Sequence, residues 1–362
     1  MSIILPPGST LYKDDLKLKT PAAVQSAYES GLAGYYTDEE QDDILQSSMD
    51  YQNFGEVLND YARRGISETD EESDGLHLGP LIAVLRCHAQ ELGITGTDEQ
   101  LSADDRIAPY DEAQTTGDCT SHWLRNHIDQ ARASEIQFGR EAEGWHTRTA
   151  TEIHYGARGH GGQGSSCSRL INWVHNEGGM YLRKAYPEIG IDLSEYDGDF
   201  AHRLGRTGVS DAIRKVGAEH PVQGVTRVSD RDQLRGSLRA GFSVGGGGQH
   251  RFENKKDANG VSEWIGSRPW SHATLSMMCM DERPRTIKAY GDPLYLYIQS
   301  WGHKWNSGPR KIPGTNFYIP KGAFWIKESA AERMVSRGEY FVASNTKGFE
   351  PLRGRFGATG LI

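Results

Sequence analysis

The sequence predicts an α+β protein, with helices concentrated early in the chain and strands late. Three observations carry that expectation. Apolar residues recur near helical spacing through residue 131: Val24, Ala27, Tyr28 and Leu32, then Trp123, Leu124, Ile128 and Ala131. Strand-like runs fall after residue 220, at 222–228, 241–245, 273–280, 295–298 and 322–326. The two kinds of pattern are segregated rather than alternating, which separates this chain from an α/β sheet protein.

Taken in order, residues 1–20 read as irregular and 21–62 as helical, with Thr37 and Glu40 at capping-box spacing. Residues 66–75 form an acidic Ser/Thr/Gly connector. Leu81 to Leu92 reads as a helix stopped by Gly93. Residues 94–118 read as loop, and a long helix opens at Cys119. Residues 151–164 are irregular and Gly-rich. A helix beginning near Leu170 ends at Gly178-Gly179. Gly245–Gly248 is read as a flexible hairpin tip rather than a phosphate cradle.

At roughly 150 residues per domain, 362 residues suggest two or three domains. The 43 glycines are about 12% of the chain, against a usual ~7%, which implies many loops and close approaches. Four cysteines (Cys87, Cys119, Cys167 and Cys279) are too few for a disulfide scaffold, and none has C-x-x-C spacing. His154 and His160 have no convincing ligand partners, so no metal or cofactor is expected. The N-terminus lacks the basic start and apolar stretch of a signal peptide, and no apolar run approaches the ~20 residues of a membrane helix. A soluble protein, cytoplasmic or virion-associated, is expected.

The net charge of −9 is unevenly spread. Residues 1–110 hold 21 Asp/Glu against 7 Lys/Arg, a net −14, and the remainder carries +5. Neither part has the basic footprint of a nucleic-acid binder.

Three segments carry chemistry. In Gln114-Thr115-Thr116-Gly117-Asp118-Cys119 a loop delivers a cysteine to the first turn of a helix. Free amides and the helix dipole there favour a thiolate, whereas Asp118 opposes it unless it points outward. His272 opens an apolar strand, as suits an imidazole base at a cleft edge. The third segment, Gln299-Ser300-Trp301-Gly302-His303-Lys304-Trp305, follows a strand.

Together these segments resemble the papain-like cysteine peptidases, of an extended type found in bacterial and phage genomes. The family order is Gln, Cys, His, Asn, and its last motif is Asn-Ser-Trp-Gly-x-x-Trp-Gly. Ser300, Trp301, Gly302 and Trp305 match that motif at the same spacing. Cys119 and His272 are 153 residues apart, slightly more than the ~130–150 of the family. Gly161-Gly162, followed by Trp173, Gly178 and Tyr186-Pro187, looks like the family's substrate ledge and the segment after it. The resemblance covers about residues 106–345. It implies a helical lobe over 106–222 and an antiparallel β-barrel-like lobe over 223–345, and it leaves outside an acidic helical extension over 1–105, read from charge and helical spacing, and a C-terminal tail over 346–362.

The departures are specific. Thr116-Gly117-Asp118-Cys119-Thr120 stands where the family has Cys-Gly-Ser-Cys-Trp. Gln114 lies five residues before the cysteine instead of six. Gln299 replaces the Asn, and Asn306 follows the second Trp in place of Gly. The resemblance implies Cys119 as nucleophile, His272 as its ion-pair partner and acid, Gln299 as orienting amide, and Trp301 as a shield. Gln114 and the Cys119 amide would stabilise the oxyanion. Gly161 and Gly162 would pair with an extended peptide substrate. The extension would be a targeting module, a surface for protein assembly or an inhibitory segment.

Rival readings are a papain-fold structural or interaction protein, including a phage virion component, and an amidase of cell-wall peptides. The Ser-Trp-Gly-x-x-Trp pattern speaks against the amidase. Gly159–Gly164 fits G-x-G-x-x-G, but the residues before it are too polar for the buried strand a dinucleotide fold needs.

Overall fold

The computed structural model describes residues 75–137 and 145–344, apart from 146, 223, 240, 254, 268 and 304. The helices expected over 21–62, the capping box at Thr37 and the tail lie outside the described residues.

Strand β1 (Leu76–His77) leads into helix α1 (Gly79–Glu91), which has Pro80 in its first turn, where a missing N–H costs nothing. Gly93 follows with φ +68, as a helix stop requires. Helix α2 (Asp98–Ala103) falls in a segment read as loop. The Thr97 side chain accepts from the Gln100 amide, and the Gln100 side chain accepts from the Thr97 N–H. That capping box is written in the sequence, but six residues are too few to show an apolar period.

The long helix α3 (Cys119–Gln137) begins where expected. Its described neighbours include α1 and three strands of the main sheet. Short helix α4 (Glu152–Gly156), helix α5 (Cys167–Trp173) with a π turn over Val174–Gly178, hairpin strands β2 (Ala185–Tyr186) and β3 (Ile191–Asp192), and helices α6 (Gly198–Thr207) and α7 (Asp211–Gly217) follow. Gly159–Gly164 lies between α4 and α5, so no strand precedes it.

The later chain is mixed. Strand β4 (Gly224–Arg227) and helix α8 (Arg231–Arg239) precede strands β5 (Val244–His250), β6 (Trp270–Met277) and β7 (Met280–Asp281). Helix α9 (Pro284–Tyr290), strand β8 (Leu294–Ile298), the β9 (Arg310–Lys311) and β10 (Tyr318–Ile319) pair, strand β11 (Ala323–Lys327), helix α10 (Glu328–Arg337) and strand β12 (Glu339–Ser344) complete it. The main sheet runs β1-β7-β8-β6-β5-β12-β4, with β11 also on β8, and its pairs are antiparallel. The result is mixed helix and antiparallel sheet.

One expectation changes. Gly245–Gly248 is no hairpin tip: it lies within β5, buried between β6 and β12. The glycines permit close approach, since a Cβ on Gly246 would lie 1.8 Å from the Glu339 carbonyl oxygen. Residues 75–105, grouped by charge with the N-terminal extension, share the core of the later chain. Leu76, Leu78, Leu81 and Leu85 belong to that core, and β1 pairs with β7.

Candidate active site

Cys119 is the first residue of α3. The Asp118 carbonyl accepts from the amides of Ser121 and His122, at 2.9 and 3.1 Å, which places Asp118 at the helix cap. The Cys119 amide therefore belongs to the turn whose N–H groups have no partner within the helix. Cys119 is fully buried and in electrostatic reach of Tyr155, before the Gly-rich loop, and of Tyr297 on β8. All four cysteines are buried and unbridged.

The loop before Cys119 is pinned residue by residue. The Gln114 amide donates to the Ser300 carbonyl at 2.8 Å, and the Ser300 hydroxyl donates to Gln114 Oε1. Gln114 Nε2 donates to the Thr116 carbonyl at 2.8 Å. The Thr115 amide donates to the Tyr196 hydroxyl at 3.0 Å, which itself donates to Asp118 Oδ2 at 2.8 Å. The side chain of Gln163 holds Thr116 and Gly117. Asp118 thus points inward, fully buried, against the expectation that it must face outward to spare a thiolate. Its other oxygen has no hydrogen-bond partner, and the buried His122 ring lies 3.6 Å from Oδ2 and 3.8 Å from Glu112.

Behind the loop lies a buried ionic cluster. Glu112 accepts from Arg125 at 2.5 Å and from Arg183 at 2.9 Å, and Arg183 also reaches Glu152 at 2.7 Å. Burial pushes the Glu112 carboxyl up, but Arg125, Arg183, His122 and Arg148 outweigh it and hold the group at about 2.

His272 is the third residue of β6, opposite Gly248 on β5. Its ring stacks on Trp301, with centroids 4.8 Å apart and planes 22° apart. Trp301 meets Trp270 at 4.9 Å and Trp305 at 5.6 Å, both edge-on. The Gln299 side chain, 2% exposed, acts on the imidazole in the sense that favours the protonated ring. Burial acts more strongly, and the charges of His250 and His122 add to it, so His272 titrates well below the usual imidazole value. Gly302 turns the chain with φ +70, and a Cβ there would lie 3.0 Å from the Asp111 carbonyl oxygen. Ser300 and Gly302 therefore dock the His272 side directly on the loop of Cys119.

Gly161 is half-buried and Gly162 buried. The Gly162 carbonyl accepts from Arg158 at 3.0 Å, and its amide donates to His160 Nδ1 at 3.2 Å. Both main-chain groups of Gly162 are thus engaged within the chain, which leaves Gly161 as the stronger candidate for a substrate ledge. Gln163, Tyr196 and His250 are the near neighbours that sequence reasoning missed. His250 lies 6.1 Å from His272, ring to ring, and contacts the Tyr297 hydroxyl at 2.7 Å. No motif marks Tyr196 or His250, and Gln163 falls inside the Gly159–Gly164 run as one of its unspecified positions; each of the three arrives from a different strand or loop.

Among the described residues, no group of three or more His, Cys, Asp or Glu is placed to hold a metal, and no helix is long and apolar enough to cross a membrane. No protein-family model matches the chain, and no curated protein matches it either. Among solved structures it is similar to xylellain, a cysteine protease from Xylella fastidiosa, with 16% identity and a TM-score of 0.43; the match covers 64% of this chain and 81% of that one. It is also similar to the digestive procathepsin L2 proteinase of Tenebrio molitor larval midgut, with 15% identity and a TM-score of 0.38; that match covers 88% of this chain and 97% of the other. At these scores neither likeness decides the chemistry, which rests on the contacts around Cys119 and His272.

Proposed function

We propose that the chain is a papain-like cysteine peptidase that hydrolyses peptide bonds with Cys119 as nucleophile and His272 as its partner. The observation that carries this reading is the enclosure of His272: Trp301 stacks on its ring, and Gln299, itself buried, favours the protonated form. Its turn is bonded to the loop that presents Cys119 at a helix start. In this reading Cys119 Sγ attacks the substrate carbonyl and His272 delivers its proton to the leaving amine. The Cys119 amide and Gln114 face the oxyanion. Gln114 already spends one N–H on Thr116. Gln299 takes the orienting place of the family Asn.

Cys119 and His272 are both buried, and burial keeps the imidazole neutral. The ion pair therefore forms as water or substrate enters. The same burial, together with the inward Asp118, favours a second reading, a papain-fold interaction protein with little or no catalysis, such as a virion component.

Two measurements separate the readings. A small thiol electrophile should modify Cys119 faster than Cys87, Cys167 or Cys279. Peptide cleavage should fall by on the order of 10³-fold or more in Cys119→Ser and in His272→Ala. Equal labelling of the four thiols, or full cleavage by Cys119→Ser, would overturn the peptidase reading.

A further inference from the structure

The Cys119 loop departs from the family pattern in length and in sequence, so something else must hold it. Gln163, just after the Gly161-Gly162 pair, is 1% exposed. Its Oε1 receives the Gly117 amide at 2.6 Å, the Thr116 hydroxyl at 3.0 Å and the Tyr155 hydroxyl at 3.3 Å. An amide N–H can only donate, so the atom facing Gly117 must be the carboxamide oxygen. The return contact is main chain: the Gly164 amide donates to the Gly117 carbonyl at 3.1 Å and to the Tyr155 hydroxyl at 3.1 Å. Both polar groups of the Gly117 main chain are thus fixed from the 155–164 segment. The fit is close, since a Cβ on Gly117 would lie 2.5 Å from Gln163 Oε1 and 3.0 Å from its Cβ. Tyr155 is braced in turn by the Arg158 guanidinium, 3.8 Å from its ring centroid.

From these contacts we infer that Gln163 is a positioning residue for Cys119, its carboxamide oxygen setting the Gly117 main chain and hence the entry of the loop into α3. The inference rests on the peptidase reading for its chemistry, but the clamp itself is read from geometry. It also explains why Gly117 has no side chain and how a loop one residue shorter still presents a cysteine. Misplacing a reacting group by about 1 Å costs up to ~10²-fold in rate.

The test compares full-length wild type with Gln163→Leu, which keeps the bulk and loses the acceptor, and with Gln163→Glu, which keeps an acceptor oxygen. If the Leu variant does not fold, Gln163→Asn, one methylene too short to reach, takes its place. Two quantities are read: kcat and KM for a peptide substrate, and amide hydrogen exchange over residues 115–118. The expected result is a fall in kcat of ~10–100-fold with KM within about threefold, faster exchange at Gly117, and recovery of most of both losses in Gln163→Glu. A folded Leu or Asn variant with wild-type kcat overturns the inference, as does a loss confined to KM. If wild type cleaves no peptide, the peptidase reading fails separately; the clamp then stands or falls on exchange, and unchanged protection of Gly117 overturns it.

Discussion

The imidazole side and the thiol side of the site are built from different materials. His272 sits inside a strand and is enclosed by rings, with Trp301 stacked on it and Trp270 and Trp305 edge-on behind. Cys119 ends a loop held by directional bonds from Ser300, Tyr196 and Gln163. Rings hold by area, so shape-conserving changes are tolerated and truncation is not. Hydrogen bonds contribute about 1 kcal/mol each, but a buried donor left without its acceptor is costly. One side should therefore fail by losing stability, the other by losing geometry while the core stays folded.

Trp301→Ala is the strongest test of that contrast. Trp301 is fully buried, and truncating such a ring costs ~3–5 kcal/mol. Urea unfolding should show a loss of that size, whereas Trp301→Phe should recover more than half of it. A loss below ~1 kcal/mol for the Ala variant would mean that the rings do not hold the imidazole side.

The thiol side should instead be sensitive to acid. Glu112, behind the loop, is held at about 2, below its usual 4.5. A carboxyl whose folded value is depressed stabilises fully above the unfolded value and loses that contribution as pH falls through the folded one. The window therefore runs from about pH 4.5 down to about pH 2. The contribution at neutral pH is about 3 kcal/mol, at 1.36 kcal/mol per unit. The difference between the unfolding free energies at pH 7 and pH 3 should be about 2 kcal/mol smaller in Glu112→Gln than in wild type, the remainder coming from other depressed carboxyls such as Glu282. An equally steep acid dependence in the variant would move the effect to another carboxylate.

The same contrast explains what the sequence could disclose. The imidazole side was legible because Ser300, Trp301, Gly302 and Trp305 lie within six residues, and aromatic spacing survives as a pattern. Cys119 at a helix start was legible from Gly117 and the apolar period after it. The thiol-side clamps were not, because Gln163 and Tyr196 lie 44 and 77 residues from Cys119 in sequence, and one hydrogen bond leaves no period. The buried Gly245–Gly248 run is ambiguous in sequence for a related reason. Glycine signals either freedom or close approach, and only the position of Glu339 shows which applies. Helices α8, α9 and α10 lie among the strands, so segregation of early helix from late strand holds only coarsely.

Gln299→Asn gives the smallest expected effect and the sharpest comparison of the two sides. The substitution installs the residue that the resembled family carries, on a backbone that buries a longer carboxamide. Removing one methylene draws the carboxamide back by roughly one bond length and leaves a small void, worth ~1 kcal/mol in stability. The amide should still reach the ring in part, so kcat should fall about three- to tenfold with KM nearly unchanged. Gln299→Ala, which removes the acceptor, should lose several times more. A rise in kcat for the Asn variant would show that Gln299 restrains His272 rather than serving it. The imidazole side would then limit the reaction, and the Gln163 clamp would stand as a fixed element on which a slower partner acts.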